Sequence, residues 1–321
     1  MQSANQAVLQ AAFAWLQQMP QVPVWLCTVA SAQGSAPRPP GSLLVCNARG
    51  DQSGSLSGGC IEEDLLERLR SEALPVAGAE LVPYGVTAEQ NERLGLPCGG
   101  LLQVLLQRLE PGRDLPWLAA AVEAIAARQC LQRRVAIPAG TTQWSSVAAH
   151  LPLQLQPGEL RQTFGPQMRM LLVGAGQLSQ SLAELALAMD YDVLVVDPRE
   201  GLRAQWQGPA VSLLGGMPDD AVRAYASDRH SIVITLTHDP RIDDMALMEA
   251  LTTEAWYVGA LGSQRTTEKR LQRLRQLGLD AAQLARLHAP VGLDIGSKTP
   301  LEIAVSIMAE LVSLRRRQVV A

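Results

Sequence analysis

The chain has 321 residues, which at about 100–200 residues per domain points to two domains. With 47% hydrophobic and 18% charged residues it has the composition of an ordinary globular protein, with material for real cores. A formal net charge of -4 excludes a generally basic binder of nucleic acid or membrane surfaces.

At the N-terminus, Met1 to Leu9 has no basic residue ahead of an apolar core, so a secretory signal is not expected. No apolar run approaches the roughly 18 residues of a membrane-spanning helix. Ala7 to Leu16 reads as an amphipathic helix, and Val22 to Ala30 and Ser42 to Asn47 as strands. The Pro- and Gly-rich stretch from Ser31 to Gly41 reads as a loop. A Gly/Ser segment from Ser53 to Gly59 leads through Cys60 into a helix from Ile61 to Leu69, and Leu101 to Leu106 is the next buried strand.

Pro111 to about Gln167 is hard to read. A helix over Trp117 to Arg128 is followed by strands or a hairpin over Arg134 to Pro157, and Gly165-Pro166 marks a junction. From Met168 onward, strands alternate with helices, at Met168–Val173, Asp192–Val196, Val211–Leu214, Ser231–Thr237 and Trp256–Leu261. That alternation means a parallel sheet covered on both faces. The fold expected is therefore α/β: an N-terminal α/β domain (1–110), a variable connecting region (111–166), and a C-terminal Rossmann-like doubly wound domain (167–321). The last helix carries its own start signal, with Thr299 as N-cap, Pro300 at its first position and Glu302 three residues after the cap.

The turn Gly174-Ala175-Gly176-Gln177-Leu178-Ser179 follows a strand and opens a helix. Gly174 permits the tight turn, Gly176 lets a pyrophosphate approach the backbone, and Ser179 stands where a small residue allows close helix–strand packing. Asp197, at the end of the second strand, is spaced to bond a ribose 2′-hydroxyl, which favours NAD, while nearby Arg199 keeps NADP open. His238 follows a parallel strand, where ligands of open α/β sheets bind; the plainer reading is a turn whose Asp239 caps the next helix.

The five cysteines, Cys27, Cys46, Cys60, Cys98 and Cys130, form no C-x-x-C pair, so reduced thiols and a cytoplasmic setting are expected. Cys27 and Cys46 lie in strand patterns and read as small buried hydrophobes. Cys60 stands at a helix start, where unsatisfied N–H groups favour the thiolate, while Glu62, Glu63 and Asp64 oppose it. Cys98, beside Gly99 and Gly100, lies in a turn. Both are candidates for nucleophile or soft-metal ligand.

Taken in order, these motifs resemble the xanthine dehydrogenase accessory proteins of the XdhC/CoxI family. The resemblance rests on Gly34-Ser35-Ala36-Pro37-Arg38 with Gly41, Ser57-Gly58-Gly59-Cys60 followed by Glu62, and Cys98-Gly99-Gly100. It continues through Val173-Gly174-Ala175-Gly176, Asp197-Pro198-Arg199, Thr237-His238-Asp239 and Pro290-Val291-Gly292-Leu293-Asp294. The resemblance implies a cytoplasmic, commonly dimeric maturation factor more than a stand-alone catalyst. Such a factor binds molybdenum cofactor, aids its sulfuration with a cysteine desulfurase, and delivers it to a xanthine dehydrogenase-type molybdoenzyme. Cys60 and Cys98 then become the candidates for holding cofactor or sulfur, the Arg38 loop becomes a candidate for anionic or pterin groups, and Gly41, Gly59 and Gly99 join the cofactor-binding set. Gln177 differs from the histidine common at its position. The alternative is an NAD(P)-dependent oxidoreductase built on Gly174, Gly176 and Asp197, with His238 as acid or base.

Overall fold

The computed structural model describes residues 2–34, 38–71, 78–85 and 101–320. The chain divides into two units, Met1–Pro166 and Gln167–Ala321.

The first unit is built on strand β1 (Val24–Gln33), whose apolar residues alternate between two cores. Val24 and Leu26 face helices α1 (Gln2–Gln18) and α3 (Pro111–Ala126), packing against Leu9, Leu16, Trp117 and Leu118. Trp25, Cys27 and Val29 point the other way, to Ile61 and Leu65 of α2 (Cys60–Arg70). A strand buried on both faces has an apolar run rather than strict alternation, as the sequence does here. The antiparallel sheet has the order β3-β2-β1-β5-β4, with β2 Leu43–Asn47, β3 Gln52–Gly54, β4 Ala79–Tyr84 and β5 Leu101–Leu109.

One expectation is corrected here. Residues 31–33 are not loop: β1 continues through them by pairing Ser31, Ala32 and Gln33 with β5, after a register shift between Val29 and Ser31. Strand β4 had no clear signal because Pro83 interrupts it. Proline is tolerated there because β4 is an edge strand among the described residues, where a missing N–H breaks no ladder bond to β5. Cys27 and Cys46 are buried as expected, and burial pushes the Cys27 thiol pKa well up, which keeps it neutral.

Residues 111–166 fold as part of this unit. After α3 come β6 (Cys130–Ala136), β7 (Thr142–Val147), β8 (Gln154–Gln156) and β9 (Glu159–Phe164), paired in the order β7-β6-β9-β8. Cys130 opens β6 and is buried. The two sheets are tied by polar groups. Arg133, fully buried, donates to Thr28 Oγ1 at 2.7 Å and to Gln162 Oε1 at 2.8 Å. Gln107 donates to Gly140 O at 3.0 Å and to Thr142 Oγ1 at 2.9 Å.

In the second unit, six parallel strands take the order β12-β11-β10-β13-β14-β15. They are β10 Arg169–Val173, β11 Asp192–Val196, β12 Ser212–Leu214, β13 Ser231–Thr235, β14 Tyr257–Ala260 and β15 Leu287–His288. The chain runs from β10 outward to β12, then returns to β13 on the other side of β10, the doubly wound arrangement with its switch point at β10 and β13. One face is covered by α4 (Gln177–Ala188) and α10 (Pro300–Val320), through Leu182, Ala186, Ile307 and Leu311. The other is covered by α6 (Pro218–Tyr225), α7 (Pro240–Ala250) and α8 (Gln264–Gln276), through Val222, Leu247 and Leu274. Short helices α5 (Glu200–Ala204) and α9 (Ala281–Leu284) complete the unit. Strand β15 is too short to leave a period in the sequence. It is fastened from within the fold, where Glu310 accepts from Tyr257 Oη at 2.7 Å, contacts His288 Nδ1 at 3.1 Å and accepts from Gly292 N at 2.7 Å. No described helix is long and apolar enough to cross a membrane.

Candidate functional site

In the first unit the Gly/Ser segment before Cys60 is organised by one carboxylate. Glu62 Oε1 accepts from the backbone N–H of Leu56 (2.7 Å), Ser57 (2.9 Å) and Gly58 (3.1 Å), and from Ser55 Oγ at 2.8 Å. Its Oε2 accepts from Gly59 N at 3.0 Å and from the Ser57 hydroxyl. Burial pushes this carboxyl's pKa up, but the hydrogen bonds from Ser57, Ser55 and Gly58 outweigh it, so Glu62 is held well below the usual carboxylate range. Gly58, at φ 95, supplies the left-handed turn that curls the loop around the carboxylate. Helix α2 then begins at Cys60, as the sequence predicts. The Gly59 N–H is therefore spent on Glu62, and the loop's backbone donors hold a carboxylate instead of standing free for a ligand.

This arrangement carries a pH prediction. A group whose folded pKa lies below its ordinary 4.5 contributes its full stability above that value and loses it as pH falls toward the folded one. Glu62→Gln should cost about 2–3 kcal/mol near neutrality, and the gap from the parent should shrink on acidification. Urea unfolding at pH 7 and pH 3 measures both; a pH-independent gap would contradict the assignment.

Of the other residues singled out in this unit, Cys98 and Gly99 lie outside the described residues. Arg38 is exposed. Gly41, at φ 91, closes the turn before β2, and its carbonyl accepts from Asn5 Nδ2 at 3.0 Å and Gln162 Nε2 at 2.9 Å. Gln162 also binds Arg133, so the second sheet steadies the turn that carries Arg38.

In the second unit, a cleft of about 880 Å³ opens at the carboxyl ends of the strands, over the switch point. Gly174, Gly176, Ser179 and His238 all line it. Gly174 is required: at φ 112 it already suits glycine, and a Cβ would sit 2.9 Å from Thr237 Cγ2. A Cβ on Gly176 would meet nothing within 4 Å, so that backbone is open to a ligand. Ser179 is buried and its hydroxyl donates to Gly174 O at 2.5 Å, locking the glycine turn to the first turn of α4. His238 is exposed at φ 63, the left-handed corner between β13 and α7. Asp239 caps α7, accepting from Arg241 N at 3.0 Å, so the plainer reading of this turn also holds.

Asp197 differs in its surroundings from a free ribose acceptor. It is fully buried and accepts from Ala175 N at 2.9 Å, Arg199 N at 2.9 Å, Arg199 Nε at 2.9 Å and Arg199 Nη2 at 2.8 Å. Burial raises its pKa, but the bonds from Arg199 and Ala175 prevail and lower it overall.

Net charge leaves room for a local basic patch, and the structure places one here, at a cleft where the sequence reading had not located it. Arg199, Arg265, Lys269, Arg270, Arg273 and Lys298 all line it, and no Asp or Glu does. Arg199, Arg270 and Arg273 are matched behind the wall by Asp197, Asp243 and Asp244. Among the described residues Arg265, Lys269 and Lys298 have no ion-pair partner, and all three are exposed. Helices α4, α7, α8 and α10 also begin at this cleft, through Gln177, Pro240, the α8 N-cap Ser263 and Pro300. Helix N-termini present N–H groups and positive dipole ends, so the cleft favours an anion with more than one charge. A signal existed in the sequence: Arg265, Lys269 and Arg273 recur every four residues and so share one face of α8.

Comparison with known proteins agrees with the fold. A profile described as the XdhC Rossmann domain matches residues 170–311, and one described as the XdhC and CoxI family matches residues 17–85. Among named relatives, a Bacillus subtilis (strain 168) protein described as a probable xanthine dehydrogenase subunit is 27% identical, over 91% of this chain and 93% of that protein. The molybdenum cofactor insertion chaperone PaoD of Escherichia coli (strain K12) is 28% identical, over 91% of this chain and 84% of that one. The crystal structure of a xanthine dehydrogenase from Bacillus halodurans shares the fold at a TM-score of 0.72 and 23% identity, covering 97% of this chain and 96% of that one.

Proposed function

We propose a function for the chain, which belongs to the XdhC and CoxI family. It is a binding and insertion factor for molybdenum cofactor that serves a xanthine dehydrogenase-type molybdoenzyme. The names of two relatives, a molybdenum cofactor insertion chaperone and a probable xanthine dehydrogenase subunit, support that reading. The observation that carries it is the concave cleft of the second unit, with six cationic side chains and no lining carboxylate.

The fit to the cargo is chemical. A pterin cofactor ending in a phosphate suits arginine, lysine and helix N-termini. Its molybdenum, soft toward sulfur, suits thiolates, of which Cys60 at the start of α2 and Cys98 are the candidates. Glu62 fixes the backbone that leads to Cys60. Arg38, Gly41, Gly59 and Gly99 complete the N-terminal set, and Gly174, Gly176, Ser179 and His238 the C-terminal one. A cysteine desulfurase as sulfur source, a homodimer and a cytoplasmic location belong to the same proposal. A carrier has to release what it holds. Thiolates on separate glycine-rich segments do that more readily than a closed metal cage.

The test is anaerobic equilibrium binding of molybdenum cofactor to the full chain, comparing wild type with Cys60→Ala and Cys98→Ala. Stoichiometric binding by wild type, weakened at least tenfold in either cysteine variant, is the expected result. No binding by wild type would overturn the carrier reading.

A further inference from the structure

The cleft has the layout of a dinucleotide site, yet the group that such a site uses to read ribose is already engaged. In that layout a carboxylate at the end of the second strand accepts hydrogen bonds from the ribose hydroxyls. A carboxylate has about four lone-pair positions. Asp197 has them filled: Ala175 N and Arg199 N donate from the backbone, and Arg199 Nε and Nη2 add a two-pronged contact at 2.9 and 2.8 Å. Asp197 is fully buried, so no solvent-facing side of the carboxylate remains for a sugar. Arg199 stands between Asp197 and the cleft, lining the cleft with its side chain 40% exposed. At the place where an NAD site presents a negative charge, this cleft presents a guanidinium.

We propose that the cleft selects phosphate and pyrophosphate groups and rejects the ribose of NAD, because Arg199 occupies Asp197 and turns a sugar acceptor into a cationic anchor. Asp197 is then a positioning residue that acts through Arg199. Ligand charge is met by Arg199 on one side and, on the other, by Arg265, Lys269 and Lys298, which have no ion-pair partner among the described residues, with Gly176 leaving room for the phosphate at the start of α4. The assignment of that phosphate to a pterin cofactor rests on the carrier reading above. The exclusion of ribose does not.

The lock makes an unusual demand: cutting away a cation should improve the binding of a negatively charged dinucleotide. In Arg199→Ala, Asp197 keeps its two backbone donors and regains two acceptor positions facing the cleft. Calorimetric titration of the full chain with inorganic pyrophosphate, NAD and NADP tests this. Wild type should bind pyrophosphate at least tenfold tighter than NAD. Arg199→Ala should tighten NAD about tenfold and weaken pyrophosphate, and the double variant Asp197→Asn/Arg199→Ala should lose the NAD gain. Arg199→Gln repeats the measurement should the alanine variant melt early.

An NAD affinity that is unchanged or lower in both single variants would overturn the lock, as would a gain that survives Asp197→Asn. Wild-type binding of NAD as tight as pyrophosphate would overturn the exclusion of ribose. NADP bound tenfold tighter than either would assign Arg199 to a 2′-phosphate and overturn it too. Loss of molybdenum cofactor binding with these titrations intact would remove the carrier reading alone.

Discussion

Arg133→Ala should lower the stability of the N-terminal unit by about 3–5 kcal/mol. The guanidinium is fully buried beside the stacked rings of Trp117 and Phe164, 5.2 and 5.3 Å from their centroids. Its hydrogen bonds go to neutral oxygens, those of Thr28, Gln107 and Gln162. Truncation removes both ring contacts, opens a cavity, and leaves three buried oxygens short of a donor. Arg133→Met keeps much of the volume and should lose less, about 2 kcal/mol. Urea denaturation followed by tryptophan fluorescence measures both. A midpoint for Arg133→Ala equal to wild type would mean that water satisfies the same oxygens and that the network is not a structural tie. Because Gln162 holds the Gly41 carbonyl, the same variant should also loosen the turn carrying Arg38, which proteolysis of the folded protein near that turn would report.

The second large effect is on binding. Replacing Arg265, Lys269 and Lys298 together by alanine should weaken a phosphate-bearing cofactor by about 100-fold, since these are the cleft cations without an ion-pair partner among the described residues. The wild-type affinity should fall as salt rises, and the triple variant should have lost most of that salt dependence. Folding should not suffer, because Arg265 and Lys269 are like charges one helical turn apart and their removal relieves repulsion. An unchanged affinity, with the melting temperature also unchanged, would place the ligand's phosphate somewhere other than this cleft.

The sequence by itself determined the parts whose cause is local. Alternating strands and helices after Met168 determined a doubly wound sheet, because the central strands and the long helices there leave a period, although the edge strand β15 is too short to do so. Gly174 and Gly176 marked the cleft because their conformation and open backbone are properties of glycine itself. Thr299, Pro300 and Glu302 marked the start of α10, where Glu302 accepts from Lys298 N at 2.8 Å and Thr299 N at 2.9 Å. Cys60 at the head of α2 was equally legible, since a Gly/Ser segment running into a charged amphipathic stretch has one reading.

Only the tertiary structure decided the rest, because it depends on partners far apart in the chain. The extension of β1 through Gln33 and the existence of β4 come from pairing with β5, some 20 to 70 residues away. Residues 111–166 gave weak periods, yet fold into the first unit through Arg133, whose partner Thr28 lies 105 positions earlier. The spacing of Asp197 was visible, but its engagement was not: a carboxylate two residues before an arginine can face a ligand or that arginine, and burial decides between them. The cationic cleft assembles from α4, α8, the end of β11 and the loop before α10, so the charged face of α8 is legible in the sequence but its meeting with Arg199 and Lys298 is not. A chain of net charge -4 can still build a strongly positive concave site when its acids are placed behind the wall and its lysines and arginines in front.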